Sequence, residues 1–180
     1  MPWRRWLLIV SLIVALALGA RTWFGRRAEP EPVPEPPDST AVSVRSATLW
    51  FASPEGGGLA AEPRELPEQS ELHARVATLV AALEQGPRLE GRRTLPAGTA
   101  LLHAYLDGDG ILTLDLSRAF RQGFRGGARE EELVLGSLVR TITGNVPEAK
   151  RVRIVCAGET LSSLGGHFPL DQPLDPEDWP

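Results

Sequence analysis

The chain has one cysteine, one lysine and three histidines among its 180 residues. The lone Cys156 excludes an internal disulfide framework and any multi-cysteine zinc or cluster site. Histidines at 73, 103 and 167 are too scattered for a His-rich metal site. A dominant charge is also missing. Nineteen basic and 23 acidic residues give a net −4, so there is no general nucleic-acid footprint. No cysteine lies near residue 20, which leaves no acceptor for a lipid. No Lys-Ser/Thr pair follows Gly56-Gly57-Gly58 at Walker spacing, so that triplet reads as a flexible link and not a phosphate loop.

The charge that is present is unevenly placed. Arg4, Arg5, Arg21, Arg26 and Arg27 fall in a head without acidic residues. The rest holds 14 of the 19 basic and all 23 acidic residues, a net −9. Such asymmetry points to a membrane or targeting element joined to a soluble body. Residues 6–20, WLLIVSLIVALALGA, carry no charge, and Thr22 to Gly25 extend the apolar stretch once Arg21 snorkels. A bilayer needs about 20 residues. Trp3, Trp6 and Trp23 stand where an interfacial aromatic belt would put them. The favoured reading is an uncleaved single-pass anchor over 1–27, N-terminus in the cytoplasm and body outside. The alternative is a cleaved signal peptide, with small-residue sites at Ala15-Leu16-Ala17 or Ala17-Leu18-Gly19.

Residues 28–40, AEPEPVPEPPDST, hold five prolines and four acidic residues. Proline fixes φ and removes a donor, so a polyproline II stalk of roughly 40 Å is expected as a linker. A docking motif for a proline-binding module is the lesser alternative.

The body, 41–172, reads as one α+β domain. Val42 to Phe51 is β-branched and aromatic enough for a strand, and Ala60 to Leu66 returns as a short strand ended by Pro67. Ser70 to Gln85 is a helix: Leu72, Val76, Leu79, Val80 and Leu83 form one stripe, Ser70 is the expected cap, and Gly86-Pro87 stops it. Residues 99–106 and 111–116 flank Asp107-Gly108-Asp109-Gly110 as a hairpin, with Leu102, Ala104 and Leu106 on one face. Ser117 caps a turn carrying Phe120, and Arg121 to Arg129 is a mobile basic loop. Glu130 to Thr143 is the second helix, striped by Leu135, Leu138, Val139 and Ile142, with three glutamates at its positive dipole end. Arg151 to Ala157 is the last strand. The expected order is β-α-β-β-α-β, a sheet of three to four strands packed by two helices. Residues 173–180 are a Pro/Asp-rich tail.

These blocks resemble a GerMN domain, the module of GerM-type sporulation and germination proteins and of some envelope lipoproteins. The resemblance covers most of 42–172 and rests on order and spacing. It runs through Leu49-Trp50-Phe51, Glu62-Pro63-Arg64, Gly86-Pro87, Leu95-Pro96-Ala97-Gly98-Thr99, Leu114-Asp115-Leu116-Ser117, Leu138-Val139-Arg140-Thr141-Ile142-Thr143, Val152-Arg153-Ile154 and Leu164-Gly165-Gly166-His167. It implies a compact fold related to the ring-building motifs of bacterial secretion systems, and a role in envelope protein assembly rather than catalysis. One copy is present where the germination protein carries two, and an apolar anchor replaces the lipid-bearing cysteine.

Candidate chemistry is sparse. Asp107-Gly108-Asp109 resembles the start of a calcium loop but lacks its later carboxylates, so a hairpin turn is preferred. Cys156 alternates with Val152 and Ile154, as a buried structural thiol would. His73, His103 and His167 have no nucleophile partner at identifiable spacing. Glu62 and Arg64, considered with Asp115 as a polar site, read as a solvated ion pair. Arg118, Arg121, Arg125 and Arg129 form a basic patch able to meet anionic lipid or glycan phosphates. No catalytic, cofactor-binding or metal residue is assigned. The expected partners are the membrane, other envelope proteins and a second copy of the chain, with no nucleic acid. The alternatives are a glycan- or small-ligand-binding module and, behind it, a cell-wall hydrolase.

Overall fold

The computed structural model describes residues 43–179; the anchor and the stalk expected over 1–40 lie outside the described residues. Two strands come first, β1 (Val44–Ala52) and β2 (Leu59–Pro67), joined by the turn around Gly56-Gly57-Gly58. They pair antiparallel with Leu49 opposite Glu62 and form a sheet of their own. Helix α1 (Leu72–Gln85) follows, then the hairpin β3 (Leu101–Leu106) and β4 (Ile111–Leu116). A short helix α2 (Arg118–Gln122) and the long α3 (Ala128–Asn145) lead to β5 (Arg151–Cys156) and β6 (Glu159–Thr160). The second sheet has the order β3-β4-β5-β6, with β4 and β5 parallel and the outer pairs antiparallel.

The domain is therefore α+β, but with two sheets where one had been expected, and with three helices. The reason lies on α3. Its residues Ser137, Thr141 and Asn145 recur every four positions and so share one face. Thr141 Oγ1 accepts the Trp50 amide at 3.0 Å. Ser137 Oγ donates to the Trp50 carbonyl at 2.5 Å. Asn145 Oδ1 accepts the Thr48 amide at 3.0 Å, and its Nδ2 donates to the Thr48 carbonyl at 2.7 Å. Side chains thus satisfy the β1 edge that another strand would otherwise pair. Arg140 stacks its guanidinium 3.6 Å from the Trp50 ring centroid on the same interface.

The apolar stripe of α3, including Leu135, Leu138, Val139 and Ile142, is fully buried, and so are Ser137 and Thr141 on the hairpin side. Burial on two faces is what a helix between two sheets requires. Helix α1 buries Val76, Leu79, Val80, Ala82 and Leu83. A Leu79→Asp substitution, which places a charge in this core, lowers the unfolding free energy by about 4 kcal/mol or more. Thermal melting followed by circular dichroism checks it.

Three local readings change. Ser70 does not cap α1: Glu71 holds the N-cap position, without a side-chain hydrogen bond. Leu102 does not face the core with Ala104 and Leu106. The register skips one residue between Leu101 and His103, a bulge that turns Leu102 outward to 41% exposure and puts Leu101 against the core. The segment read as a Pro/Asp-rich tail packs down: Leu174 exchanges two backbone hydrogen bonds with Val152, at 2.7 and 3.0 Å, and Trp179 is buried against Phe168. At the end of α1, Gly86 adopts φ +89°, a left-handed value that glycine reaches without strain, and turns the chain toward Pro87.

Candidate functional site

Strand β2 places Glu62 and Arg64 two residues apart, hence on one face, opposite Leu49 and Ala47. That face is the core face, so both residues are 4% exposed. The solvated ion pair expected from sequence is instead a buried one. Arg64 Nε donates to Glu62 Oε1 at 3.0 Å, and its Nη2 meets the same oxygen. Arg64 also donates to the Ala82 carbonyl at 3.1 Å and the Gly86 carbonyl at 3.0 Å, closing the end of α1. Glu62 Oε2 accepts the Arg88 and Leu89 amides at 2.9 and 3.0 Å. Burial pushes the Glu62 carboxyl up, but the Leu89 amide, the Arg64 guanidinium and the Arg88 amide together hold it below the ordinary carboxylate value. Asp115 takes no part: it lies in the other sheet and accepts the Gly158 amide at 3.0 Å.

A second buried carboxylate, Glu131, was not singled out from sequence. It is fully buried in the first turn of α3. Its Oε1 accepts the Leu164 amide at 3.0 Å; its Oε2 accepts the His167 amide at 3.0 Å and sits 2.9 Å from His167 Nδ1. Burial raises its pKa, but hydrogen bonds from the Gly165 amide, the His167 ring and the His167 and Leu164 amides bring it below the usual value. The three glutamates expected at the dipole end therefore divide. Glu130 accepts the Gly127 amide at 3.2 Å and caps the helix, Glu132 pairs with Arg129 at 2.7 Å, and Glu131 ties down the 164–167 loop.

The remaining candidates separate. Asp107 Oδ1 accepts the Asp109 and Ile111 amides at 3.0 and 2.9 Å, which makes it part of the β3–β4 turn. Cys156 is buried, with Sγ 3.4 Å from the Ser117 carbonyl. His73 and His103 are exposed on different elements. The arginine patch is split: Arg118 and Arg121 line a cavity of about 230 Å³ beside Cys156 and Glu159, Arg125 lines another cleft, and Arg129 is paired. Among the described residues, no three His, Cys, Asp or Glu side chains gather as a metal site requires.

The four-stranded sheet has one apolar and one open face. Leu112, Leu114, Leu116, Val152, Ile154 and Cys156 point to the core and are buried. The alternate residues form two cross-strand rows, His103–Asp115–Val155 and Tyr105–Thr113–Arg153, all exposed or half-buried. Tyr105 is 68% exposed, and the turned-out Leu102 lies three positions before it on the same strand.

This architecture, a two-stranded hairpin and a four-stranded sheet joined through two long helices, is that of the GerMN domains. Residues 48–162 match the Germane family, described as sporulation and spore germination, and the chain belongs to that family. The first GerMN domain of the sporulation protein GerM from Bacillus subtilis shares the fold at a TM-score of 0.56 and 21% identity, over 74% of this chain and 99% of that one. The tandem GerMN domains of the same protein give 0.60 and 21%, over 76% of this chain and 48% of that one, so the chain spans about half of the tandem. A candidate lipoprotein from Clostridium perfringens gives 0.54 and 25%, over 78% of this chain and 93% of that one. No curated protein matches the chain. None of these solved structures is described as an enzyme. Among the described residues no helix is long and apolar enough to cross a membrane; the anchor expected over 1–27 lies outside them.

Proposed function

We propose that the chain is a membrane-anchored, extracytoplasmic protein whose GerMN domain acts without catalysis as an assembly or scaffolding module at the bacterial cell envelope, with sporulation or germination as the process served. The observation that carries this reading is the open face of the four-stranded sheet. It presents Tyr105 and Leu102 at its β3 edge, rimmed by His103, Thr113 and Arg153. An aromatic anchor within a polar rim is the pattern of a protein contact. The apolar, charge-flanked stretch over residues 6–20 supports the anchor. The lipoprotein assignment of the Clostridium perfringens relative supports an extracytoplasmic, membrane-associated placement.

Crosslinking of the full-length protein in its native membrane, followed by pull-down, tests the reading. The native chain recovers an envelope protein, and the surface double variant Leu102→Asp with Tyr105→Asp loses it while its unfolding free energy stays within about 0.5 kcal/mol. Recovery of no partner above background, or the same partner from both chains, overturns it.

A further inference from the structure

A cleft of about 190 Å³ opens where the connection from α1 to β3 meets the loop after α2. Arg92, Arg93 and Arg125 line it against one carboxylate, Glu130, and the half-buried Pro96 and Phe124 contribute apolar surface. Arg92 is held through its backbone and Arg125 through its guanidinium. Arg92 exchanges backbone hydrogen bonds with Ala52, at 2.9 and 3.2 Å. Arg125 Nη1 donates to the Gln122 and Phe124 carbonyls at 2.6 and 2.7 Å. The loop that carries Arg125 lies so close to α3 that a Cβ on Gly126 would come within 2.3 Å of the Glu130 Cβ. Only glycine permits that approach.

The charges do not cancel. Arg93 lies 3.7 Å from Glu84 and donates to the Gln85 carbonyl, and Glu130 is engaged by the Gly127 amide. Arg92 and Arg125 have no carboxylate partner among the described residues. Arg93 and Glu84 cancel each other and the Glu130 carboxylate faces the positive end of α3, so the two positive charges left to answer are those of Arg92 and Arg125. A carboxylate ligand balances one of them, and a phosphate monoester, dianionic above its second pKa of about 6, balances both. Guanidinium forks also match phosphate oxygens in pairs.

We propose that this cleft binds a small phosphate monoester, with its phosphate between Arg92 and Arg125 and its organic body on Pro96 and Phe124. The site is separate from the open sheet face, so it stands or falls independently of the assembly reading.

Calorimetric titration of the full-length protein in detergent with glycerol 3-phosphate tests it, with glycerol and isobutyrate as the neutral and carboxylate comparisons. Saturable binding of the phosphate ester is expected, at least about tenfold tighter than isobutyrate. Arg92→Ala, whose side chain has no hydrogen-bond or ion-pair partner among the described residues, weakens binding about tenfold or more, and Arg125→Lys weakens it by losing the fork. Arg153→Ala, on the open sheet face, leaves it unchanged. Absence of saturable binding, equal affinity for isobutyrate, or equal weakening by Arg153→Ala overturns the proposal.

Discussion

Replacing Glu131 with alanine lowers the unfolding free energy by about 3–5 kcal/mol, measured as a fall in the urea midpoint at unchanged slope. The size follows from what the carboxylate holds. The Leu164 and His167 amides both donate to it at 3.0 Å. Each buried amide left without an acceptor costs about 1–3 kcal/mol, reduced where the loop peels away to reach water. The His167 ring contributes far less. Its side chain is 46% exposed, so His167→Ala costs about 1 kcal/mol or less. A His167→Ala loss as large as that of Glu131→Ala would mean that the side-chain pair, and not the backbone bonds, secures the loop.

The same carboxylate sets part of the acid response. Its folded pKa lies below the unfolded value near 4.5. A depressed carboxylate contributes stability that is fully present above the unfolded pKa and is lost as pH falls through the folded one. The stability difference between the native chain and Glu131→Gln is therefore largest at neutral pH and shrinks as pH drops below about 4.5. Urea titrations at several pH values measure it.

The sequence pattern carried the helices and the β3–β4 hairpin because each rests on local information. The stripe from Val76 to Leu83 has the helical period, and Asp107-Gly108-Asp109-Gly110 has turn chemistry. The two-sheet division did not show, because it depends on Ser137, Thr141 and Asn145 reaching strand β1, about 90 or more positions away in sequence. Glu131 was legible in part. It lies four residues before Leu135 and seven before Leu138, on the buried stripe, yet a glutamate in a first turn is ordinarily read as answering the helix dipole. Glu62 and Arg64 share the parity of Leu66 and so belong to the inner face of β2. What hides them is that charged side chains are rarely buried unless paired, and the pairing appears only once the strand has a partner. The bulge at Leu102 has no marker in the sequence, since neither glycine nor proline signals it.

Arg64→Ala is the second large effect, a loss of about 3–5 kcal/mol, because it leaves the Glu62 carboxylate buried without its cation. A pair that acted only through mutual attraction would be replaceable by apolar residues at little or no cost. This pair does more. Arg64 also satisfies the Ala82 and Gly86 carbonyls at the end of α1, and Glu62 satisfies the Arg88 and Leu89 amides just beyond it. The double variant Glu62→Leu with Arg64→Leu removes the uncompensated charge but strands those four backbone groups. It is therefore expected to stay at least about 2 kcal/mol below the native chain. A double-mutant cycle in urea separates the two contributions. If the double variant equals or exceeds native stability, the pair is a mere charge couple. If it remains well below, the couple's principal role is to join the β1–β2 hairpin to the end of α1, and with it to set the loop from which Arg92 enters the arginine-lined cleft.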